Sequence, residues 1–195
     1  MIKTKKILIG THNRGKFREI SQLLPKKLRK LSPETFNIRS PKETGKTFLQ
    51  NSILKVNYFY KRAGIPSISD DSGLEIKYLK YKPGIHSARW AKKNGGFRKA
   101  MKKILKLMGD TKKREAFFVC SLSLRVNNKK VISTIGKLKG SISKKILGNK
   151  GFGYDSIFIP DKKKITFGQM SPKKKLMTDH RYLAFRKLKK KTTVF

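Results

Sequence analysis

The nonapeptide ISDDSGLEI, residues 68–76, poses the central structural problem of this sequence. It places two carboxylates, Asp70 and Asp71, side by side among apolar residues in a chain with 50 Lys and Arg but only 11 Asp and Glu. Adjacent carboxylates repel each other, and burying either is costly unless a cation or hydrogen bonds offset its charge. The flanking residues predict two short strands separated by a turn at Ser72 and Gly73. Alternation along the first strand would point one acid toward a site and leave the other to cap the turn.

Length and composition predict one folded domain that spans residues 1–195. Hydrophobic residues make up 37% of the chain and aromatic residues 10%, which argues against disorder despite the high charge. Cys120 is the only cysteine, so it cannot form an internal disulfide, and we expect a reducing compartment. The apolar run Ile7–Ile9 is too short for a signal peptide or a membrane span. We therefore expect a soluble cytoplasmic protein with no membrane partner.

The formal net charge of +39 has two interpretations. A strongly basic surface suits a nucleic-acid-binding protein, because it releases counterions from phosphate. Most of the basic residues, however, are lysines spread along the whole chain, whereas bidentate contacts to phosphates and bases favour arginine. A solvated lysine-rich surface with no specific nucleic-acid partner is therefore favoured. A local basic pocket for a phosphate-rich small molecule stays open under both interpretations.

Hydrophobic periodicity predicts alternating strands and helices, followed by a long hairpin. Predicted strands lie at 5–10, 115–126, 130–140 and 155–160, with a weaker strand at 36–38. Predicted helices lie at 16–24, 47–63, 97–109 and 180–191. The second helix is capped by Thr47 with Gln50, ends at Gly64, and has one apolar face formed by Leu49, Ile53, Val56, Tyr60 and Ala63. This order of elements predicts an α/β fold with a mixed sheet and two lobes that share one core.

The segment GTHNRGKF, residues 10–17, connects the first predicted strand to the first predicted helix. A glycine-containing turn of this kind directs backbone N–H groups and a helix N-terminus at an anion. The segment is similar to the G-x-x-x-x-G-K of a P-loop, but Phe17 occupies the position of the hydroxyl residue that binds magnesium there. Phosphate binding through Lys16 and backbone amides is one interpretation, and an ordinary turn capped by Asn13 is the other.

The acidic residues suggest a site for a hard cation, because the chain has no His/Cys cluster and oxygen ligands suit magnesium. Asp70 and Asp71 are two candidates. Glu43 is a third, since it precedes the capped helix near the positive end of the helix dipole. Each acid also has an ordinary explanation, namely a helix-entry acid for Glu43 and an Asx-turn for the aspartates.

The segment GFGYDSIF, residues 151–158, combines two glycines, two aromatic residues and one acid before a predicted strand. Phe152 and Tyr154 are suited to stacking on a flat base, and Asp155 is suited to accepting hydrogen bonds from ring N–H groups. A glycine-rich turn with aromatic core residues explains the same pattern.

Together, these segments resemble the inosine triphosphate pyrophosphatase family. The resemblance extends from Lys5 to about Leu188 and rests on separate blocks in the family's order: THNRGK, ETGKTF, NSILK, SDDSGL, PGIHSARWA, GFGYDSIF and DHRYLA. It implies a mixed α/β fold with an elongated, twisted sheet, two lobes and the active site in a central cleft. It also implies a Mg2+-dependent homodimer that hydrolyses ITP, dITP or XTP to the nucleoside monophosphate and pyrophosphate, and so removes noncanonical purines from the nucleotide pool.

The resemblance also implies roles for individual residues. Asp71 corresponds to the proton acceptor and a magnesium ligand, Glu43 to a further metal ligand, and Asp70 to a supporting acid. The triphosphate loop corresponds to Thr11, His12, Asn13, Arg14, Gly15 and Lys16. Further substrate contacts correspond to Ser72, Lys55 and Lys175. The base-binding residues correspond to Phe152, Gly153, Tyr154, Asp155, His180 and Arg181. A backbone N–H near Tyr154 or the Arg181 guanidinium is expected to donate a hydrogen bond to the 6-oxo group of the purine.

Several residues depart from the family pattern. Asp179 replaces a serine, Lys173 and Lys174 replace acidic residues, and Ser156 replaces a proline. Asp179 preserves the helix cap but brings a negative charge toward the phosphates. Two other functions stay open at this stage: a nucleic-acid-binding protein that uses the basic surface, and a Maf-type nucleotide pyrophosphatase.

Overall fold

The structure, a computed structural model, describes residues 4–194. Within that range the chain forms strands and α-helices joined by loops and short 3-10 turns. The strands are β1 (Lys6–Ile9), β2 (Arg29–Leu31), β3 (Ser67–Ile76), β4 (Glu115–Arg125), β5 (Val131–Ile142) and β6 (Phe158–Pro160). The helices are α1 (Arg14–Leu23), α2 (Phe48–Ala63), α3 (Ser87–Lys93), α4 (Phe97–Met108), α5 (Pro172–Leu176) and α6 (His180–Lys190). None of the helices within 4–194 is long and apolar enough to cross a membrane.

The strands form one mixed sheet in the order β2-β1-β3-β4-β5-β6. β1 pairs in parallel with β2 and with β3, whereas β5 and β6 pair antiparallel. Parallel neighbours need crossover connections, and α1 and α2 lie in the connections that lead from β1 to β2 and from β2 to β3. The mixed α/β fold predicted from the sequence is confirmed.

The chain divides into two compact units, and the division falls within β3, β4 and β5 and after His180, the first residue of α6. Unit 1 comprises residues 4–71, 120–136 and 181–194, and unit 2 comprises residues 72–119 and 137–180. The largest apolar cluster of unit 1 includes Ile20 and Leu188, and that of unit 2 includes Ile104 and Phe158. The prediction that residues 1–195 act as one catalytic domain stays a prediction.

β3 runs without interruption through both aspartates, so the predicted turn at Ser72 and Gly73 is wrong. The strand lies between β1 and β4 in the sheet, where its backbone N–H and C=O groups are used for strand pairing. A turn would have removed those groups from the ladder. Asp70 and Asp71 therefore lie within a buried strand, where they are only 1% and 4% exposed.

α2 buries a face of mixed polar and apolar residues, which corrects the purely apolar face predicted from periodicity, although Val56 is buried as predicted. Leu49 is exposed, and Ile53, Tyr60 and Ala63 are only half-buried. The buried residues of the helix are Phe48, Asn51, Ser52, Lys55, Val56 and Phe59. The reason is that the helix meets polar partners on the sheet, since Ser52 Oγ lies 2.8 Å from the hydroxyl groups of both Ser121 and Ser123.

Three predicted boundaries also differ in the structure. Residues 36–38 are not a strand, because a 3-10 turn at Pro33–Phe36 is followed by Asn37 with a left-handed φ of 52°. The Asp155–Ile157 segment forms another 3-10 turn, so β6 begins only at Phe158. α1 begins at Arg14, and Gly15 and Lys16 are therefore helical.

Candidate active site

Two carboxylates of unit 1 share one lysine. β3 carries Asp71, α2 carries Lys55, and Glu43 lies in the segment that precedes α2. Lys55 Nζ lies 2.7 Å from Glu43 Oε1 and 3.4 Å from Asp71 Oδ1. The structure thus brings together three residues that the sequence predicted to act on the metal and the phosphates.

Burial and neighbouring charges shift the pKa values of Asp71 and Lys55 in opposite directions. Burial raises the pKa of Asp71 above its ordinary value, although the ammonium groups of Lys55 and Lys16 oppose that shift. Burial alone would lower the pKa of Lys55, but the carboxylates of Asp71, Asp70 and Glu43 raise it overall. Lys55 is therefore a cation at neutral pH, where it offsets the charge of the carboxylates beside it.

Asp70, the neighbour of Asp71 in β3, has different partners. Its Oδ2 lies 3.2 Å from Lys16 Nζ and 3.4 Å from Arg181 Nε. Arg181 Nη1 in turn donates to Glu19 Oε2 at 2.7 Å. Alternation along the strand thus separates the two carboxylates. Arg181, predicted to bind the base, lies in this buried ion network of unit 1.

The predicted phosphate loop lies where β1 ends and α1 begins. Asn13 Oδ1 accepts from Lys16 N–H at 3.0 Å and caps α1, which agrees with the capping role considered from the sequence. Thr11 Oγ1 accepts from Asn13 N–H at 3.2 Å. Arg14 and Gly15 form the first turn of the helix. The loop is therefore ordered by its own side chains, and α1 supplies the N-terminus that suits an anion.

A pocket of about 640 Å³ opens beside this loop in unit 1. Thr11–Arg14 line it together with Phe17 and other residues of α1. His12 is fixed at this place, because its Nε2 lies 3.0 Å from Ile38 O and its Nδ1 lies 2.6 Å from Ser40 Oγ. The pocket has the volume of a small-molecule site.

The acidic residues of unit 1 fit Mg2+ when the substrate supplies further ligands. Across residues 4–194, no group of three or more His, Cys, Asp or Glu side chains is close enough to hold a metal ion. Glu43 and Asp71 supply two carboxylates next to the same lysine. Mg2+ is commonly bound by one or two carboxylates together with substrate phosphates and water. The residues present therefore suit a magnesium ion whose other ligands are phosphate oxygens and water.

The predicted base-binding segment forms a tight turn in unit 2. Asp155 Oδ2 accepts from Phe152 N–H at 2.8 Å and lies 2.6 Å from Lys175 Nζ. Lys175 Nζ also lies 4.6 Å from the centroid of the Phe152 ring. Gly151 and Gly153 have left-handed φ values of 79° and 66°, and a Cβ at Gly151 would lie 2.1 Å from Asp155 Oδ2. The turn therefore requires glycine at 151, and it brings Phe152, Asp155 and Lys175 together.

Tyr154 and His180 belong to the packing of unit 2. The Tyr154 ring contacts Phe97 edge-on with 5.2 Å between centroids, and its hydroxyl donates to Ser87 O at 2.9 Å. Burial raises the pKa of Tyr154 above its ordinary value. His180 stacks on Phe118 with 4.8 Å between ring centroids. The ring of Tyr154 is a core residue, so a base contact from Tyr154 would have to come from its backbone.

Sequence reasoning missed two buried polar residues of unit 1. Asn51 Nδ2 donates to Asp71 Oδ2 at 3.0 Å, and Glu19 accepts from Arg181 at 2.7 Å. Asn51 lies four residues before Lys55 on α2, and that spacing was a usable signal because such residues share a helix face. Glu19 gave no signal, since an acid near a lysine on a short helix is equally typical of an exposed surface.

Comparisons with known proteins give one consistent result. A model of the Ham1 family matches residues 7–191 of the chain. The dITP/XTP pyrophosphatase of Caulobacter vibrioides is 37% identical over 186 residues, which cover 94% of this chain and 96% of that protein. These similarities extend over nearly the whole length of both chains.

Two solved structures share the fold. A HAM1 protein from Coxiella burnetii has a TM-score of 0.85 and 31% identity, and the alignment covers 95% of this chain and 96% of that chain. The Ham1 protein of Staphylococcus aureus has a TM-score of 0.84 and 34% identity, with coverage of 95% and 97%. The sequence resemblance and the fold comparison therefore point to the same family.

Proposed function

The chain belongs to the Ham1 family, and from that premise we propose that it hydrolyses noncanonical purine nucleoside triphosphates. The substrates are ITP, dITP and XTP, and the products are the nucleoside monophosphate and pyrophosphate, so that the reaction cleanses the nucleotide pool. The structural observation that supports this function best is the group formed by Glu43, Lys55 and Asp71. It combines a carboxylate that can accept a proton with a cation suited to phosphate.

The reaction begins with attack of a water oxygen on the α-phosphorus. The bond between that phosphorus and the oxygen leading to the β-phosphate breaks, and pyrophosphate leaves. Asp71 accepts the proton of the attacking water, a role supported by its fixed position between the Lys55 ammonium and the Asn51 amide. Lys16 and Lys55 are suited to neutralising the charge that develops on the leaving pyrophosphate.

Mg2+ would be held by Asp71 and Glu43, and its contribution would be to neutralise phosphate charge. Lys55 lies between these two carboxylates and offsets their repulsion, so the pair can stay close together. Asp70 acts differently, because it fixes the ammonium group of Lys16.

Selection of the base is assigned to the turn in unit 2. Phe152 supplies a ring for stacking, while Asp155 and Lys175 fix the turn that carries it. The 6-oxo group of hypoxanthine or xanthine needs a donor, which we assign to backbone N–H groups beside Tyr154. Adenine presents an amino donor at the same position, and two donors facing each other would leave buried groups unpaired.

The remaining assignments rest on the family resemblance. They are the substrate contacts of Thr11, His12, Asn13, Arg14, Gly15, Ser72, His180 and Arg181, the assembly into a homodimer, and a cytoplasmic location. Arg181 is engaged with Asp70 and Glu19, so its contact with the base stays a prediction.

A nucleotide panel tests the proposed function. ITP, dITP, XTP, ATP and GTP are incubated with the full chain with and without Mg2+, and pyrophosphate and phosphate are measured separately. We expect Mg2+-dependent release of pyrophosphate from ITP, dITP and XTP, with ATP and GTP much poorer. Asp71→Asn should lower the rate by about 100-fold or more, because it removes the proton acceptor. Asp110→Asn, at an exposed acid, is the matched control. Release of phosphate without pyrophosphate would contradict the proposal.

A further inference from the structure

Asn51 is a buried amide next to the proposed proton acceptor. It is 0% exposed and lies on α2, one helical turn before Lys55. Its Nδ2 donates to Asp71 Oδ2 at 3.0 Å, and its Oδ1 accepts from Gly45 N–H at 2.8 Å. Gly45 follows Glu43 by two residues. One side chain therefore connects α2, β3 and the segment that carries Glu43.

The orientation of this amide is fixed by its partners. A carboxylate only accepts and a backbone N–H only donates, so Nδ2 must face Asp71 and Oδ1 must face Gly45. Lys55 Nζ approaches the other carboxylate oxygen of Asp71, Oδ1, at 3.4 Å. Two donors from adjacent turns of α2 thus contact both oxygens of Asp71 and determine the plane of its carboxylate.

Gly45 makes the close approach to Asn51 possible. A Cβ at Gly45 would lie 2.6 Å from Asn51 Oδ1, 2.8 Å from Gln50 Cβ and 2.9 Å from Asn51 N. Two of these atoms belong to a backbone or to the stem of a side chain in a regular helix, so they cannot move aside. A larger residue at 45 would push the Glu43 segment away from α2.

We propose that Asn51 is a positioning residue of the active site, which orients Asp71 for proton acceptance and fixes the Glu43 segment beside it. The inference rests on the proposed function, because Asp71 and Glu43 receive their roles there. Asn51 acts through these residues and has no need to touch the substrate. Loss of its Nδ2 donor would let the carboxylate rotate, and small misplacements of reacting groups reduce turnover strongly.

Asn51→Asp tests the donor separately from the acceptor. It preserves the size of the side chain and the acceptor for Gly45 N–H, but it places an acceptor against Asp71. We expect kcat for dITP to fall by about 10- to 100-fold, since hydrogen bonds to charged groups are among the stronger ones. KM should change by less than about threefold, because the lost contact serves turnover rather than substrate binding. Asn51→Ala, which removes both bonds, should reduce kcat to a similar extent.

Asn57→Ala is the matched control. Asn57 has the same residue type on the same helix, but its Oδ1 accepts from Arg125 Nη1 at 2.6 Å instead of meeting Asp71. Its kcat should stay within about twofold of the parent. Thermal unfolding of every variant shows whether a lower kcat comes from a folded protein or from an unfolded one.

Gly45→Ala tests the positioning of the Glu43 segment if neither Asn51 variant folds. It leaves Asn51 unchanged but displaces the Glu43 segment, so kcat should again fall. An unchanged kcat in a folded Asn51 variant overturns the inference. If neither Asn51 variant folds, an unchanged kcat in Gly45→Ala overturns it.

Asp71→Asn separates the positioning role of Asn51 from the proposed function. If Asp71→Asn abolishes hydrolysis while the Asn51 variants are fully active, the positioning role alone fails. If Asp71→Asn is itself fully active, the proposed role of Asp71 fails first.

Discussion

Two adjacent aspartates in β3 meet different partners. Asp70 and Asp71 are adjacent and both buried. Asp70 lies against Lys16 and Arg181, whereas Asp71 lies against Lys55. A buried carboxylate with no such partner would be neutralised by taking up a proton. Under the proposed function, Asp70 supports the site by holding Lys16, and Asp71 accepts the proton beside Lys55.

Lys175 should be a strong stabilising residue of unit 2. Its Nζ lies 2.6 Å from Asp155 Oδ2, and the two side chains are only 5% and 4% exposed. Lys175→Met keeps the apolar stem but removes that cation from a buried carboxylate, so we expect the free energy of unfolding to fall by about 3 kcal/mol. Chemical denaturation measures the change, with the exposed neighbour variant Lys174→Met as control. A difference of less than about 1 kcal/mol between the two variants would contradict this prediction.

The buried phenol of Tyr154 predicts a loss of stability at alkaline pH. Burial raises its pKa in the folded protein, whereas an unfolded tyrosine titrates at about 10. Above that pH the unfolded chain has released a proton that the folded protein keeps. The folded state then binds more protons than the unfolded state, so stability falls as pH rises.

Tyr154→Phe removes this contribution. The decrease in unfolding free energy between about pH 8 and about pH 11 should be smaller in Tyr154→Phe than in the parent chain. Tyr78→Phe, at an exposed tyrosine, should leave the decrease unchanged. Equal decreases in the parent and in Tyr154→Phe would show that another group is responsible.

Among the elements, α2 carries two side chains that contact Asp71, namely those of Asn51 and Lys55. Its buried face carries Ser52, which shares hydrogen bonds of 2.8 Å with the hydroxyl groups of Ser121 and Ser123 on β4. Ser123 extends the chain of hydroxyl groups to Ser133 on β5 at 2.8 Å. Directional contacts of this kind fix the position of the helix on the sheet. Lys55 therefore lies beside the Asp71 carboxylate of β3.

The C-terminus of α2 allows the cost of a left-handed backbone conformation to be measured without side-chain clashes. Gly64 ends the helix with φ of 64°, and a Cβ at this position would meet no atom within 4 Å. Alanine would therefore be destabilising only through its left-handed conformation, by about 1 kcal/mol. Gly64→Asn should cost less, because asparagine adopts this conformation more readily. Unfolding free energies should rank the parent first, Gly64→Asn second and Gly64→Ala last, and a stabilising Gly64→Ala would refute the argument.

At the scale of the whole molecule, the exposed charge is overwhelmingly positive. The net charge is +39, and most of the 11 acids are already ion-paired within the fold. The ion-paired acids are Glu19, Glu43, Asp70, Asp71, Glu75, Glu115 and Asp155. Self-repulsion of a surface with one sign destabilises the folded state, while the same field attracts anionic substrates.

Salt should therefore act oppositely on stability and on substrate capture. Raising NaCl from about 0.05 M to about 0.5 M shortens the screening length to a few ångströms. The melting temperature should rise because repulsion is screened, and kcat/KM for dITP should fall by about tenfold because steering is lost. Thermal scans and initial rates across the same salt series measure both effects. A melting temperature that falls with NaCl would mean that ion pairs, and not repulsion, dominate the surface.

Much of the fold followed from local patterns in the sequence. The hairpin strands β4 and β5, the amphipathic helix α4 and the Thr47 cap of α2 lie where periodicity and capping chemistry placed them. These features depend on residues within a few positions of each other, so a single segment is sufficient to encode them. The ordered blocks of motifs were likewise sufficient to indicate the family.

Tertiary structure alone decided which polar residues are buried and which residues they contact. Asp71 meets Lys55 across 16 positions, and Glu19 meets Arg181 across 162 positions, so neither pairing is visible in a local pattern. Strand pairing is a further long-range contact, and it keeps β3 continuous, because a strand between two neighbours uses its backbone N–H and C=O groups for pairing. Long-range contacts also explain why α2 buries Asn51, Ser52 and Lys55 beside its apolar residues, since a carboxylate and a hydroxyl group on the sheet are their hydrogen-bond partners.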